Sequence, residues 1–259
     1  MNSIEDPFSR SRILLGAPAL DQLAATSVAI FGIGGVGSYA VEALARAGVG
    51  HLTLIDFDII GISNLNRQIH ALTTTIGHSK VEVMAERCRL INPEITVTTL
   101  IEPYDAENSA RLLLPHFDYV FDCIDLITAK LHLIVACKER QIPIISSMGA
   151  ANKFDPTAIR VGDLFATKNC RLARIMRKEL RQRGITSGVE VVYSTEGFRP
   201  LAEGRRNEAD GVGGYQQRRA PLGSVAWIPS IFGLTMVGTV IPRILMRTGN
   251  FNAPEGDCE

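Results

Sequence analysis

The chain has 259 residues, and its content of 46% hydrophobic and 21% charged residues is typical of a globular protein with a sizeable buried core. Its 27 basic and 27 acidic residues balance, so the overall charge favours no class of partner. The five cysteines form no CxxC pair and the N-terminus lacks an apolar stretch, which argues against a disulfide scaffold, a common structural zinc site and a secreted protein.

Strands and helices are predicted to alternate regularly through the first 150 residues. Short apolar runs predict strands at 27–31, 51–55, 96–101, 119–124 and 143–147. Helical spacing of apolar and small residues predicts helices at 38–47, 80–91, 106–114 and 127–140. The alternation is typical of the α/β class, with a doubly wound, mostly parallel, Rossmann-like sheet and helices on both faces.

The pattern changes after residue 150. Strands are predicted at 157–161 and 189–194, on either side of a basic helix at 172–183, and a polar loop follows at 196–219. The chain then returns to the core through an apolar segment at 225–245. No charge occurs from 220 to 242, which meets the length of a membrane span, but interleaved prolines and glycines favour a buried core helix.

The first predicted strand leads into a glycine-rich turn, GIGGVG at 32–37. Gly32 permits the tight turn, and Gly37 lets the next helix pack against the strand. Gly34 and Gly35 let phosphate oxygens approach the main chain, where the helix N-terminus adds N–H donors and a positive partial charge. The turn therefore predicts a nucleotide phosphate site, with a purely structural turn as the alternative.

Asp56 lies at the carboxyl end of the second predicted strand, 19 residues after Gly37. A carboxylate at that position can accept hydrogen bonds from the ribose hydroxyls of a nucleotide. The alternative is an ordinary strand-end turn residue. Asp58, two residues later, has no role that the sequence decides.

The polar run SNLNRQ at 63–68 is unlike the corresponding segment of nicotinamide-dependent enzymes, in which the second strand leads promptly into a helix. Asn64, Arg67 and Gln68 supply amides and a guanidinium suited to phosphate oxygens. Lys80 opens the next predicted helix, where a cation is mildly unfavourable. That cost is understandable if Lys80 binds a phosphate, so the run and the lysine favour a triphosphate over a dinucleotide.

Two acidic residues follow the fourth predicted strand, at the edge where open α/β sheets bind ligands. A carboxylate there is suited to hold Mg²⁺ against triphosphate oxygens. We assign the metal to Asp125, which is nearer the mouth of the site, and a structural role to Asp122.

These residues and spacings together resemble the ubiquitin-activating-enzyme-like superfamily of ATP-dependent adenylyltransferases. The resemblance implies that Gly35 and Asp56 bind ATP, that Asn64, Arg67 and Lys80 bind its phosphates, and that Asp125 binds magnesium. In this family an N-terminal arginine reaches into the site of the neighbouring subunit. Arg10 is the similar position here, which implies a homodimer, with a plain surface arginine as the alternative.

Three segments resemble one branch of that superfamily, whose members dehydrate threonylcarbamoyladenosine in tRNA: IISSMGAANK at 144–153, RIMRKELRQRGI at 174–185 and VVYSTE at 191–196. This resemblance implies ATP-dependent cyclisation to an oxazolone through adenylation of the threonine carboxylate. It also implies ATP and Mg²⁺ without zinc, and one domain over 1–259 with its nucleotide-binding core at 25–150 and a substrate-facing, dimer-supporting part at 151–259. A cytoplasmic location follows, with peripheral membrane contact left open.

Other functions remain as alternatives at this stage. The first is an adenylyltransferase for a ubiquitin-like sulfur-carrier protein, which would bring a cysteine desulfurase or sulfur-acceptor system as partner and could give Cys170 a role. A nicotinamide-dependent oxidoreductase and a non-catalytic RNA-binding module are the others. ATP turnover and dependence on a carrier protein or on tRNA distinguish them.

Basic residues are concentrated between Lys168 and Arg219, where twelve face only six acidic residues. Such asymmetry predicts a polyanionic partner, and a solvated helix face is the alternative. Four of these side chains form one stripe at helical spacing: Arg174, Arg177, Lys178 and Arg181. The stripe is predicted to contact tRNA phosphates with little sequence preference.

Overall fold

The computed structural model describes residues 6–197, 222–247 and 249. Seven of its strands form one sheet. They are β1 (Ser27–Phe31), β2 (His51–Ile55), β3 (Thr96–Leu100), β4 (Tyr119–Asp122), β5 (Ile144–Ser147), β6 (Ile159–Asp163) and β7 (Glu190–Ser194). Their order is β3-β2-β1-β4-β5-β7-β6, and all neighbours are parallel except β6 and β7.

Helices connect the strands. They are α1 (Ser9–Leu15), α2 (Ala17–Ala25), α3 (Gly37–Ala47), α4 (Lys80–Ile91), α5 (Ser109–Leu112), α6 (Ile127–Glu139), α7 (Arg171–Gln182) and α8 (Trp227–Arg247). Short 3-10 turns occur at Ile62–Asn64, Pro156–Ala158 and Leu164–Ala166. The predicted doubly wound α/β class is confirmed, because each parallel crossover from β1 to β5 carries a helix.

The side chains of the central strands alternate between two hydrophobic clusters on opposite faces of the sheet. Val28 and Ile30 join a cluster with α2, α3, α4 and α8, whereas Ala29 and Phe31 join one with α5, α6 and α7. Since both faces are covered, the central strands are apolar throughout rather than alternately polar. This arrangement leaves the carboxyl ends of the parallel strands as the edge at which loops can form a site.

Two predicted elements are shorter by two residues or more in the structure, and side-chain hydrogen bonds explain both. The predicted helix at 106–114 is reduced to α5, because the Asp105 carboxylate accepts hydrogen bonds from the Glu107 and Asn108 amides and forms a turn there. The predicted strand at 119–124 ends with β4, because the Asp122 carboxylate accepts from the Ile124 amide.

Helix α8 is the described element that is long and apolar enough to cross a membrane, by length and composition alone. Half of its most apolar window is buried, and its inner side belongs to the same cluster as α3. The prediction of a core helix therefore agrees with its packing. Pro242 lies inside the helix, which continues to Arg247.

Candidate nucleotide-binding site

Two glycines shape the turn between β1 and α3. Gly32 has a φ of 89°, and a Cβ atom there would lie 2.8 Å from the Cys123 carbonyl oxygen. A Cβ atom on Gly37 would lie 1.9 Å from the Gly32 carbonyl oxygen. No side chain fits at either position, so the turn keeps the start of α3 close to the ends of β1 and β4.

The other two glycines face the polar loop that follows β2. A Cβ atom on Gly34 would meet the Gln68 amide nitrogen at 3.9 Å, and one on Gly35 would lie 3.5 Å from Cγ of Arg67 and 3.0 Å from Cβ of Pro229. The structure thus brings Arg67 and Gln68 to the glycine turn, as a phosphate site requires.

Asp56 is bonded to the glycine turn itself. Its Oδ2 atom accepts a hydrogen bond from the Ile33 amide at 2.6 Å, and its Oδ1 atom accepts from the Asp58 amide at 2.8 Å. Burial raises the pKa of Asp56, although the charge of Lys80 opposes the shift. The half-buried carboxylate has lone pairs left for a ribose hydroxyl, so the predicted role is compatible with this second, structural one.

The polar loop is closed by its own side chains. Asn64 lies in a 3-10 turn, and its Oδ1 atom accepts from the Gly61 amide at 3.0 Å. Arg67 donates through Nη1 to the Ser63 carbonyl at 2.6 Å and to Oδ1 of Asn66 at 3.0 Å. Burial lowers the pKa of Arg67. In this state Asn64 shapes the turn, and Arg67 is the group held against the glycines.

Lys80 forms an ion pair with Asp58, the residue to which the sequence assigned no role. Its Nζ atom lies 2.7 Å from Oδ2 of Asp58, and its side chain is buried whereas that of Asp58 is half exposed. Asp58 therefore offsets the unfavourable position of a lysine at the start of α4. The effect of the Lys80 charge on Asp56 places the ammonium group within electrostatic reach of the predicted ribose site.

Unpartnered polar atoms accompany these residues. Oε1 of Gln68 and both ring nitrogens of His70 are buried and have no hydrogen-bond partner within the described part of the chain. Burial, together with the charges of Lys80 and Arg87, lowers the pKa of His70 to about 3, so the ring is neutral. The Gln68 oxygen beside the glycine turn is a polar atom that a bound ligand or water can satisfy. His70 was not predicted from the sequence.

Asp122 and Asp125 have the different environments that were predicted for them. Asp122 is fully buried and forms an ion pair with Nζ of Lys130 at 2.8 Å, and Ser146 donates to it at 2.6 Å. It is a structural residue. Asp125 is exposed, two residues beyond the Cys123 carbonyl that contacts Gly32. Lys130 was not foreseen, although a lone lysine in the apolar stretch ITAKLHLIVAC is a signal of such a pair.

An exposed carboxylate at this edge fits Mg²⁺, which binds proteins through one or two carboxylates and otherwise through phosphate oxygens and water. Across the described ranges, no group of three or more His, Cys, Asp or Glu side chains is placed to hold a metal ion. Asp125 would therefore bind the metal together with the nucleotide phosphates.

Arg10 lies on α1, apart from the core. None of the residues of α1 is buried, and the neighbouring Ile13 and Leu14 are 80% and 79% exposed. The ring of Phe8 approaches Gly48 and fastens the start of this helix to the end of α3. Arg10 is thus presented on an exposed, partly apolar helix.

The predicted basic stripe on α7 is divided between two roles. Arg177 is half-buried and donates to the Thr167 carbonyl at 3.0 Å and to the Thr167 hydroxyl. The Arg181 guanidinium lies over the ring of Phe165 at 5.4 Å. Arg174 and Lys178 are exposed, as is Arg181. The basic residues Arg199, Arg205, Arg206, Arg218 and Arg219 lie outside the described residues.

The described cysteines are packed rather than reactive. Burial raises the pKa of Cys88 and of Cys137 to about 12, and it raises that of Cys123 further. Cys170 is buried at the start of α7, where its sulfur accepts from the Ala173 amide at 3.5 Å. Thiols whose pKa is raised, as in Cys88, Cys123 and Cys137, are poor nucleophiles. Cys258 lies outside the described residues.

Comparison with known proteins identifies a family and similar proteins for this chain. The sequence model of the ThiF family matches residues 8–255. The tRNA threonylcarbamoyladenosine dehydratase of Bacillus subtilis (strain 168) is 42% identical, over 92% of this chain and 94% of its own. The crystal structure of Escherichia coli tRNA N6-threonylcarbamoyladenosine dehydratase in complex with ATP matches with a TM-score of 0.85 and 34% identity, over 97% of this chain and 99% of that one. The molybdopterin-synthase adenylyltransferase of Escherichia coli (strain K12) is 38% identical, but over only 57% of this chain and 59% of its own.

Proposed function

The chain belongs to the ThiF family, and we propose that it is an enzyme that uses ATP to dehydrate threonylcarbamoyladenosine in tRNA to the cyclic oxazolone form. The family resemblance inferred from the residues is confirmed. Full-length similarity favours this function over activation of a sulfur-carrier protein, since the molybdopterin-type relative covers little more than half of the chain. The observation that carries the proposal is the glycine turn lined by Arg67 and Gln68.

The reaction needs an activated carboxylate. The threonine carboxylate attacks the α-phosphorus of ATP, pyrophosphate leaves, and an acyl-adenylate forms. The carbamoyl oxygen of the same molecule then attacks the acyl carbon, AMP leaves with the former carboxylate oxygen, and the carbamoyl nitrogen loses a proton. Because both reacting groups belong to one substrate, the closure proceeds at high effective molarity and requires no protein nucleophile. The raised pKa values of Cys88, Cys123 and Cys137 agree with this route.

The protein has to bind and orient ATP and to neutralise the charge of its phosphates. We assign the phosphates to the main chain at Gly34 and Gly35 and to the side chains of Arg67, Gln68 and Lys80, and the ribose to Asp56. Preorganised cations stabilise the charge that develops on pyrophosphate as it leaves. The adenylate is easily hydrolysed, so exclusion of water is a further task of the site.

Asp125 is the residue that we expect to hold Mg²⁺. The ion supplies charge neutralisation of the triphosphate when it is bound. The exposed position of Asp125 near the glycine turn supports the assignment. The absence of zinc stays a prediction.

We also propose a homodimer in which Arg10 completes the site of the neighbouring subunit. The support is the exposed α1, which carries Arg10 beside the apolar Ile13 and Leu14.

A mixing experiment tests the shared site. If the two sites share residues, an Arg10→Ala protein and a Lys80→Met protein, each inactive alone, regain part of the activity when mixed subunits form. If the mixture stays inactive after the subunits have exchanged, Arg10 does not act in the site of the neighbouring subunit.

The remaining assignments follow from the same function. The seven-stranded sheet and the packing of α8 against α3 support one domain over 1–259, with the nucleotide in the part at 25–150. We assign tRNA phosphates to Arg174, Arg177, Lys178 and Arg181, of which all but Arg177 are exposed. A tRNA substrate supports a cytoplasmic location. A cysteine desulfurase or other sulfur-system partner stays a prediction.

One experiment tests the function directly. The protein is incubated with ATP, Mg²⁺ and tRNA that carries threonylcarbamoyladenosine, and the nucleosides are analysed by mass under conditions that preserve the ring. Loss of one water, with formation of AMP and pyrophosphate, is the expected result. Adenylation that requires a small carrier protein and ignores tRNA would instead favour the sulfur-carrier alternative.

A further inference from the structure

An exposed aromatic pair lies beside the site and has no part in the function as argued so far. The rings of Phe154 and Trp227 meet edge to face, with centroids 5.0 Å apart and an angle of 81°. They are 53% and 40% exposed. Trp227 Nε1 donates to the Phe154 carbonyl at 2.9 Å, which fixes the orientation of the indole. Large aromatic surface that is both exposed and fixed is typical of binding sites.

The pair is joined to the phosphate turn through the start of α8. Pro229, two residues after Trp227, would lie 3.0 Å from a Cβ atom on Gly35. Two residues of chain span at most about 7 Å. In the polar loop, Asn66 Nδ2 donates to the Ser224 carbonyl at 3.1 Å. The helix that begins with Trp227 therefore starts beside the proposed phosphate site.

The loop beneath the pair is rigidly bonded. Asn152 accepts from the Gly223 amide at 2.6 Å through Oδ1, and its own amide donates to the Gly223 carbonyl at 2.8 Å. The amides of Phe154 and Asp155 both donate to one carboxylate oxygen of Glu196, at 2.8 and 2.9 Å. These bonds hold the aromatic surface in place before any ligand arrives.

The basic helix begins next to the same loop. A Cβ atom on Gly149 would lie 3.8 Å from Cβ of Leu172, in the first turn of α7. Arg174 and Lys178 are exposed on this helix. A ligand that has both a negatively charged backbone and planar rings fits a surface that combines cations with an aromatic face, and single-stranded RNA has both.

We propose that Trp227, braced by Phe154, is the stacking platform for the adenine that carries the threonylcarbamoyl group. The inference rests on the proposed function. The arm that links the purine to the threonine carboxylate is only a few covalent bonds long, so a base whose carboxylate reaches the α-phosphate must lie close to the glycine turn. Trp227 is an exposed aromatic side chain two residues before Pro229, which contacts that turn.

The chain provides its own reporter, because Trp227 is its sole tryptophan. We expect a tRNA stem-loop that carries threonylcarbamoyladenosine to quench the fluorescence saturably when a non-hydrolysable ATP analogue is already bound. Fluorescence anisotropy of a labelled stem-loop measures binding independently. Binding without any change in tryptophan emission would overturn the proposal.

Substitutions give the second test. Trp227→Leu is expected to raise the KM for modified tRNA about tenfold, with the Kd for ATP unchanged, and Trp227→Phe should recover most of the affinity. Leu234→Ala is the matched control, because Leu234 is another exposed apolar residue of α8. An unchanged KM for Trp227→Leu would overturn the platform.

Two other outcomes separate this inference from its premises. If Trp227→Leu and Leu234→Ala both weaken self-association, a second copy covers this face of α8, and the platform is overturned. If the wild-type protein forms no cyclised nucleoside but the modified stem-loop still quenches Trp227, the stacking is supported and the proposed function fails.

Discussion

The ammonium group of Lys80 lies 2.7 Å from a carboxylate oxygen of Asp58. The lysine is buried and the aspartate is half exposed, so the lysine is fixed while its partner faces solvent. Burial of an unpaired ammonium would be costly. Asp58 thus pairs with the buried ammonium group and holds it in place.

We expect Lys80→Met to fold and to lower kcat/KM for ATP by about 100-fold, as loss of one preorganised donor does. The rate of pyrophosphate release is measured in the presence of tRNA that carries threonylcarbamoyladenosine. Lys138→Met is the control, since Lys138 is an exposed lysine that donates only to the Gly188 carbonyl among the bonds observed for it. A Lys80→Met enzyme as active as the wild type would remove the phosphate role.

Asp125→Asn should fold like the wild type, because it keeps the size of an exposed side chain. It should lower product formation about 100-fold at a fixed Mg²⁺ concentration, and higher Mg²⁺ should recover part of the loss. The activity of Asp125→Asn is measured as a function of the Mg²⁺ concentration. Asp21→Asn is the control, because Asp21 is another exposed carboxylate. Identical Mg²⁺ dependence of the two variants would contradict the metal assignment.

The buried, neutral His70 gives a prediction for pH. Its pKa is lowered to about 3 from 6.5, so between these values the unfolded chain binds a proton that the folded protein does not. The free energy of unfolding should therefore fall as the pH drops below 6.5, by up to about 1.4 kcal/mol per pH unit from this group.

His70→Leu should remove that contribution, because it keeps the volume without the titrating ring. Urea unfolding at pH 7 and pH 5 then shows a smaller loss of stability for the variant than for the wild type. His51→Leu, at an exposed histidine, is the control. Equal losses for the wild type and His70→Leu would mean that His70 is protonated in the folded protein.

Two glycines should respond oppositely to alanine. Gly37→Ala places a methyl group 1.9 Å from the Gly32 carbonyl oxygen, and we expect a loss of about 3 kcal/mol or more in unfolding free energy. Gly238 lies inside α8 and has no atom within 4 Å of an added Cβ, so Gly238→Ala should stabilise by about 0.5–1 kcal/mol. Chemical denaturation measures both. A Gly37→Ala protein of wild-type stability would contradict the close approach.

Neutralising the outward charges of α7 should weaken tRNA binding without sequence preference. Arg174→Gln with Lys178→Gln is expected to reduce the slope of log affinity against log salt by about 2 if both contact phosphates. ATP affinity should stay unchanged. Arg111→Gln is the control, because Glu102 already neutralises Arg111 at 2.5 Å. An unaltered salt slope in the double variant would assign tRNA binding to another surface.

The parallel sheet could be predicted because its strands are short apolar runs separated by helical spacing, and both signals are local. The roles of Gly32 and Gly37 could also be predicted, since a tight strand-to-helix turn demands them. The bond from the Ile33 amide to Asp56 could not, because it joins residues 23 apart through a geometry that only the sheet creates. The lone lysine of an apolar stretch does signal a buried pair, but the identity of its partner, Asp122, depends on how α6 packs on the sheet.

The first two helices show another limit of sequence analysis. Helix α1 buries none of its residues, so it has no apolar face directed to the core from which a period could be read. Helix α2 buries only Ala19, Leu20 and Leu23. The division of the basic stripe was equally hidden, because Arg177 is bound by Thr167 from a turn that helical spacing does not reveal.

The buried Asp122–Lys130 pair has a consequence for motion. It ties the end of β4 to the second turn of α6, and Lys130 also donates to the Ser147 carbonyl at 2.9 Å at the end of β5. The short loop that carries Asp125 is therefore anchored at both ends. Amide hydrogen exchange in this region should be slow with or without ATP, and any movement that gates catalysis has to come from elsewhere, in elements such as α1 that bury little.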